Sequence, residues 1–89
     1  MKRINYIGTK KLMNKLGVQE RTIAMILLNS DKPLSHNDLI LMLVETKPNI
    51  KRWTSAIIKK SKGLIEQTAN KRFFVPNKIK KLFFGKKRR

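Results

Sequence analysis

Apolar positions recur at helical spacing through most of this chain and alternate only near its end. Ile23, Ile26 and Leu27 sit three and four apart, and Ala24, Met25 and Leu28 fill much of the space between them. Residues 18–29 therefore read as a helix buried on more than one side, since a helix that is apolar nearly all round has no face suited to water. The next stretch, Asn29-Ser30-Asp31-Lys32-Pro33, is rich in turn formers. Ser35 then caps a second helix over residues 36–45, with Asp38 three positions on, close to a capping box. Residues 39–44 are apolar without interruption. A buried strand is the rival reading there. The cap, and the excess of Leu and Met over β-branched residues, favour helix.

Thr46-Lys47-Pro48-Asn49 predicts a turn, because Pro48 disfavours helical backbone at Lys47. Asn49 is the expected cap of a third helix over residues 50–62. At a helical repeat, Ile50, Trp53, Ile57 and Leu64 fall within about 60° of one another, an anchoring stripe. Arg52, Ser55 and Lys59 point the opposite way, flanked by Lys51 and Lys62. Gly63 ends the helix. Residues 64–68 and 72–75 are expected as two short strands around Ala69, Asn70 and Lys71, with Phe73 and Phe74 on opposite faces. Pro76 stops the second strand. Two flanking helices complete the pattern. One covers residues 10–16, capped by Thr9 and closed by Gly17. The other covers residues 77–84, with Ile79, Leu82 and Phe83 on one side. Gly85 breaks the latter, and residues 86–89 are expected as a disordered basic tail.

Charge changes this picture. The 89 residues carry 22 Lys or Arg against 5 acids, a net charge of +17. Residues 1–45 hold 7 cations and 4 acids, whereas residues 46–89 hold 15 cations and Glu66 alone. A core with one strongly basic side suits a polyanion. The length implies one small domain, read as a basic extension (1–17), a central unit (18–76) and a short helix with tail (77–89). No run approaches the roughly 18–20 apolar residues of a membrane span, and the N-terminus lacks the apolar core of a signal peptide. The expectation is a soluble intracellular protein without membrane contact. Cysteine is absent, so disulfides and thiolate metal sites are excluded.

Taken in order, these pieces resemble the winged-helix family within the larger helix-turn-helix group. Three stretches carry the likeness. Asp31-Lys32-Pro33-Leu34-Ser35 lies between the first two helices. The helix-turn-helix follows, with Trp53 and Ile57 inward. Lys62-Gly63-Leu64-Ile65-Glu66 then runs from a helix end into a strand, and Lys71-Arg72-Phe73-Phe74-Val75 returns it, much like the wing of bacterial and archaeal regulators. The resemblance spans residues 18–76. It implies an α+β, mostly helical fold: three core helices, a two-stranded β-hairpin wing and short flanking helices. It also implies a recognition helix over residues 50–62 in the major groove of DNA, and a wing on the backbone or minor groove.

Under that reading Lys51, Arg52, Thr54, Ser55, Lys59 and Lys62 face bases or phosphates, Asn49 opens the helix, and Asn70, Lys71 and Arg72 form the wing tip. Arg and Lys can pair with guanine edges in the major groove, while wing cations position the protein on phosphates. Backbone amides at Asn49, Ile50 and Lys51 would favour a phosphate. Apart from Arg52 the cations on the helix face are lysines, point charges without a fork, which leans toward modest selectivity. The implied function is a small transcriptional regulator, a homodimer on double-stranded DNA. Two alternatives stand beside it: a structural RNA-binding ribonucleoprotein component, and a protein-interaction winged helix in a larger assembly. No nucleophile, acid–base pair or phosphate-cradling loop points to an enzyme, and no cofactor is implied. His36, the sole histidine, is expected to be exposed beside the cap.

Overall fold

A computed structural model of the chain describes residues 13–84. Of the helix expected over residues 10–16, residues 10–12 lie outside them, residues 13 and 14 are helical, and residues 15 and 16 already form a turn and a bend. The basic tail lies wholly outside. Seven elements follow: α1 (Val18–Leu28), β1 (Leu34–Ser35), α2 (His36–Leu43), α3 (Lys47–Lys60), β2 (Glu66–Gln67), β3 (Arg72–Phe74) and α4 (Asn77–Phe84). Three packed helices with a β2–β3 hairpin and a flanking helix are the architecture of a winged helix.

Local chemistry explains where the helices begin. Gly17 precedes α1, and its amide donates to Glu20 Oε1 at 2.9 Å. The same carboxylate accepts from Lys60 Nζ at 2.9 Å, which ties the start of α1 to the end of α3. The Gly17 amide, and then Lys60, hold the Glu20 carboxyl below its usual range against the opposing effect of burial. At α2 the capping box forms as expected. Ser35 Oγ accepts from the Asp38 amide at 3.1 Å, and Asp38 Oδ2 accepts from the Ser35 amide at 3.0 Å.

The sheet has three strands in the order β1-β3-β2, all antiparallel. Leu34 faces Phe73 and Ser35 faces Arg72, while Glu66 faces Phe74 and Gln67 faces Phe73. The sequence pattern predicts only the hairpin. β1 is two residues long, and its strand character comes from pairing with a segment far along the chain, which no local pattern encodes. The expected strand over residues 64–68 shortens to Glu66–Gln67. Leu64 lies in a turn, where its amide donates to Ser61 O at 3.0 Å.

Ile23, Ala24, Leu27, Leu39, Ile50, Ile57 and Leu64 are essentially inaccessible, and Phe73, Val75, Leu34 and Ile65 close the core beneath the sheet. Phe73 points inward and Phe74 is half-buried, as the alternation predicts. The apolar run of α2 divides differently from a buried helix centre. Leu39 is buried, but Leu41 and Met42 are exposed. The helix ends at Leu43, two residues before the expected end, because Val44 turns into the left-handed region at φ 54°.

Candidate nucleic-acid interface

Helix α3 begins three residues earlier than the sequence predicts. Thr46 is the N-cap and Pro48 sits in the first turn. Proline is tolerated there because its missing amide would lack a helical partner in any case. Asn49 is therefore not a cap. Its Nδ2 donates to Glu45 Oε1 at 3.0 Å, and its Oδ1 accepts from Arg52 Nη2 at 2.8 Å. Nor do the amides of Ile50 and Lys51 belong to the helix opening, since Ile50 N already donates to Thr46 O at 3.1 Å. The opening amides are those of Lys47 and Asn49.

The inward face of α3 carries Ile50, Thr54 and Ile57. Thr54 is thus no surface contact. It is 1% exposed, and its hydroxyl donates to Ile50 O at 3.0 Å and Lys51 O at 3.1 Å. Satisfying the hydroxyl on the preceding turn lets a polar residue sit in the core. Trp53 flanks the buried stripe, half-buried against the core.

Lys51, Arg52, Ser55 and Lys59 are all exposed and share the outward face at the helical repeat. No acid occupies the first turn. Lys62 is exposed but lies beyond the helix, which ends at Lys60 with Ser61 as its cap. Gly63, at φ 89°, makes the reversal toward the sheet.

The wing tip is organised around Thr68. Its hydroxyl accepts from the amides of Asn70 at 3.2 Å and Arg72 at 3.1 Å. Thr68 N donates to Arg72 O at 2.7 Å, and Lys71 N donates to Thr68 O at 2.9 Å. Asn70 and Lys71 project from this turn, exposed. Arg72 is less free than expected: its Nη1 lies 3.5 Å from Asp38 Oδ2, a partly exposed pair joining β3 to α2.

Among the described residues, two that are not glycine hold positive φ, Val44 at 54° and Lys71 at 63°. Both occupy positions that favour glycine, after a helix and at the third residue of a hairpin loop. Val44→Gly and Lys71→Gly are each expected to raise stability by about 1 kcal/mol through relief of the left-handed conformation. Chemical unfolding checks this as a higher midpoint at unchanged slope. The two variants should part company in binding. If the wing meets a phosphate backbone, Lys71→Gly, which removes a wing cation, should bind nucleic acid several-fold more weakly, whereas Val44→Gly should not.

His36, expected to be exposed beside the cap, is instead half-buried where three elements meet. Its ring stands edge-on to Phe73 with centroids 5.0 Å apart. Partial burial, followed by the charges of Lys51, Lys47 and Lys71, holds its pKa below the usual imidazole value. Lys47 was missed for a simpler reason, having been placed in a turn. With α3 starting at Lys47, it stands one helical turn before Lys51.

Among the described residues no group of three or more His, Cys, Asp or Glu is arranged to hold a metal ion. No helix there is long and apolar enough to cross a membrane. Comparison with protein-family models, with curated proteins and with solved structures returns no match.

Proposed function

We propose that the chain binds double-stranded DNA, with α3 entering the major groove and the wing resting on the backbone, and that it acts as a small transcriptional regulator. One observation carries this reading. The outward face of α3 presents Lys51, Arg52, Ser55 and Lys59 without an intervening acid, on the element that a winged helix inserts into a groove. Arg52 is the one residue there with a fork for guanine, and its bond to Asn49 restricts its rotamers. The lysines supply affinity more than selectivity.

A homodimer fits the same reading. Val18, Met25, Ile26 and Met42 line an open apolar groove of about 750 Å³ between α1 and α2. Among the described residues, Arg21 is the only charged one in its lining. In so basic a chain, a face with a single cation among its described residues is where two copies can meet with least repulsion. Sedimentation at micromolar concentration tests this.

Anisotropy with a random-sequence duplex and a structured RNA of equal length tests the main reading. Tighter binding to the duplex, sharpening on a selected sequence, is expected. Equal or better binding to RNA favours the ribonucleoprotein alternative. Binding to neither leaves the protein-interaction alternative.

A further inference from the structure

The inference that follows rests on the nucleic-acid reading and adds a chemical device to it. We propose that His36, Lys47, Lys51 and Lys71 together seat one backbone phosphate, and that His36 takes up a proton as that phosphate arrives.

Topology brings the four residues together from three elements. His36 is the first residue of α2, directly after β1. The pairing of Ser35 with Arg72 sets the neighbouring Lys71 beside it, across the sheet. The ring packs edge-on to Phe73 of the central strand, which fixes its position. Helix α3 supplies Lys47 and Lys51, one turn apart, from the third side.

Three further observations point to an anion there. First, Lys47, Lys51 and Lys71 are exposed, and none of them is ion-paired among the described residues. Second, the nearby acids are already engaged. Asp38 caps α2 and faces Arg72, while Glu45 accepts from Thr46 N and Asn49 Nδ2. Third, Lys47 and Lys51 crowd the positive end of the α3 dipole, where cations are unfavourable and a phosphate is welcome.

The imidazole completes the seat. Neither ring nitrogen has a hydrogen-bond partner among the described residues. The charged groups around it are Lys47 and Lys51 from α3, Lys71 and Arg72 from the wing, and Asp38 on its own helix, the last two facing each other. Without a ligand this field opposes a further positive charge, so the ring is neutral at neutral pH. A phosphodiester reverses the field and offers an oxygen to an imidazolium N–H. The only bond made is N–H, with the proton drawn from solvent, and the diester remains an anion throughout.

The sign follows. The pKa of His36 is low in the free protein and higher in the complex. Binding therefore takes up protons between those two values, and affinity rises as pH falls through that window. Because His36 is the sole histidine, its imidazole resonances are read without ambiguity. The experiment is an NMR titration of the full chain from pH 5 to 8.5, alone and saturated with a random-sequence duplex. Duplex affinity is measured in parallel at pH 6 and pH 8, at constant ionic strength.

The expected result is a higher His36 pKa in the complex and binding about fivefold tighter at pH 6, as uptake of up to one proton allows. His36→Gln should abolish that ratio. The α-amino group titrates nearby, but it is present in both proteins and cancels. Lys71→Ala should raise the pKa of the free ring and shrink the shift. An unchanged pKa in a saturated complex, or a pH ratio retained in His36→Gln, overturns the inference and leaves the nucleic-acid reading standing. Failure to bind either a duplex or a structured RNA at any pH overturns both.

Discussion

Replacing Lys51, Arg52, Lys59 and Lys71 together by alanine is expected to weaken duplex binding by about two to three orders of magnitude at 0.15 M salt. The size follows from counterion release: each phosphate contact contributes about 0.9 to the salt exponent, which at this ionic strength is worth roughly fivefold. All four side chains are exposed, so the variant should fold with stability within about 1 kcal/mol of the parent. The sole bond lost from the wing and helix scaffold is that between Arg52 and Asn49. A charge-matched control separates site from net charge. Lys15, Lys32, Lys78 and Lys81 are also exposed, and removing them should cost less than about tenfold, because distant charges are screened beyond roughly a Debye length. Equal losses in the two variants would mean that the chain binds through its overall charge and that α3 has no special standing.

The largest effect on stability is expected from Phe73→Ala. Phe73 is 2% exposed, occupies the middle strand, and is the partner of both Leu34 and Gln67. Its ring also supports His36. Truncating a buried phenylalanine costs about 3–5 kcal/mol through lost burial and the void left behind. A domain of this size has little more than that to lose. The melting temperature should fall by about 15–30 °C. Phe74, on the opposite face and only half-buried, should cost less than half as much when truncated. Calorimetry of the two variants decides the matter. A larger loss from Phe74→Ala would place the other face of the hairpin against the core and contradict the register.

What could be read from the sequence was local. The box between Ser35 and Asp38 follows from neighbours within a few residues and formed where expected, whereas Gly63, expected to end the third helix, takes its positive φ two residues beyond the Ser61 cap. The first helix ends within one residue of its expected close. The hairpin was legible because its strands are adjacent in the chain. What failed was of two kinds. Pro48 reads equally as a turn residue and as a first-turn helical residue, and only the packing of α3 decides between them. That single ambiguity hid Lys47 and misassigned Asn49. Thr54 was misread through its hydroxyl, although it stands four residues after Ile50 and so falls on the buried stripe.

The second kind is non-local. β1 exists because Leu34 and Ser35 meet β3, and His36 gains its cationic surroundings through that same pairing. No spacing along residues 34–36 contains this information. The apolar run of α2 shows the converse limit. Its composition is uniform, but Leu39 is buried while Leu41 is 77% exposed. Which side of a short apolar helix is covered depends on its neighbours rather than on its own residues.

The most direct test of the account is the salt dependence of wild-type affinity for a random-sequence duplex, from 50 mM to 400 mM. With five or six phosphate contacts from α3, Lys47 included, and the wing, log K should fall linearly with log salt at a slope of about −4.5 to −5.5. Absence of binding at 50 mM, or a slope shallower than about −1, would contradict a polyanion-binding face on this protein.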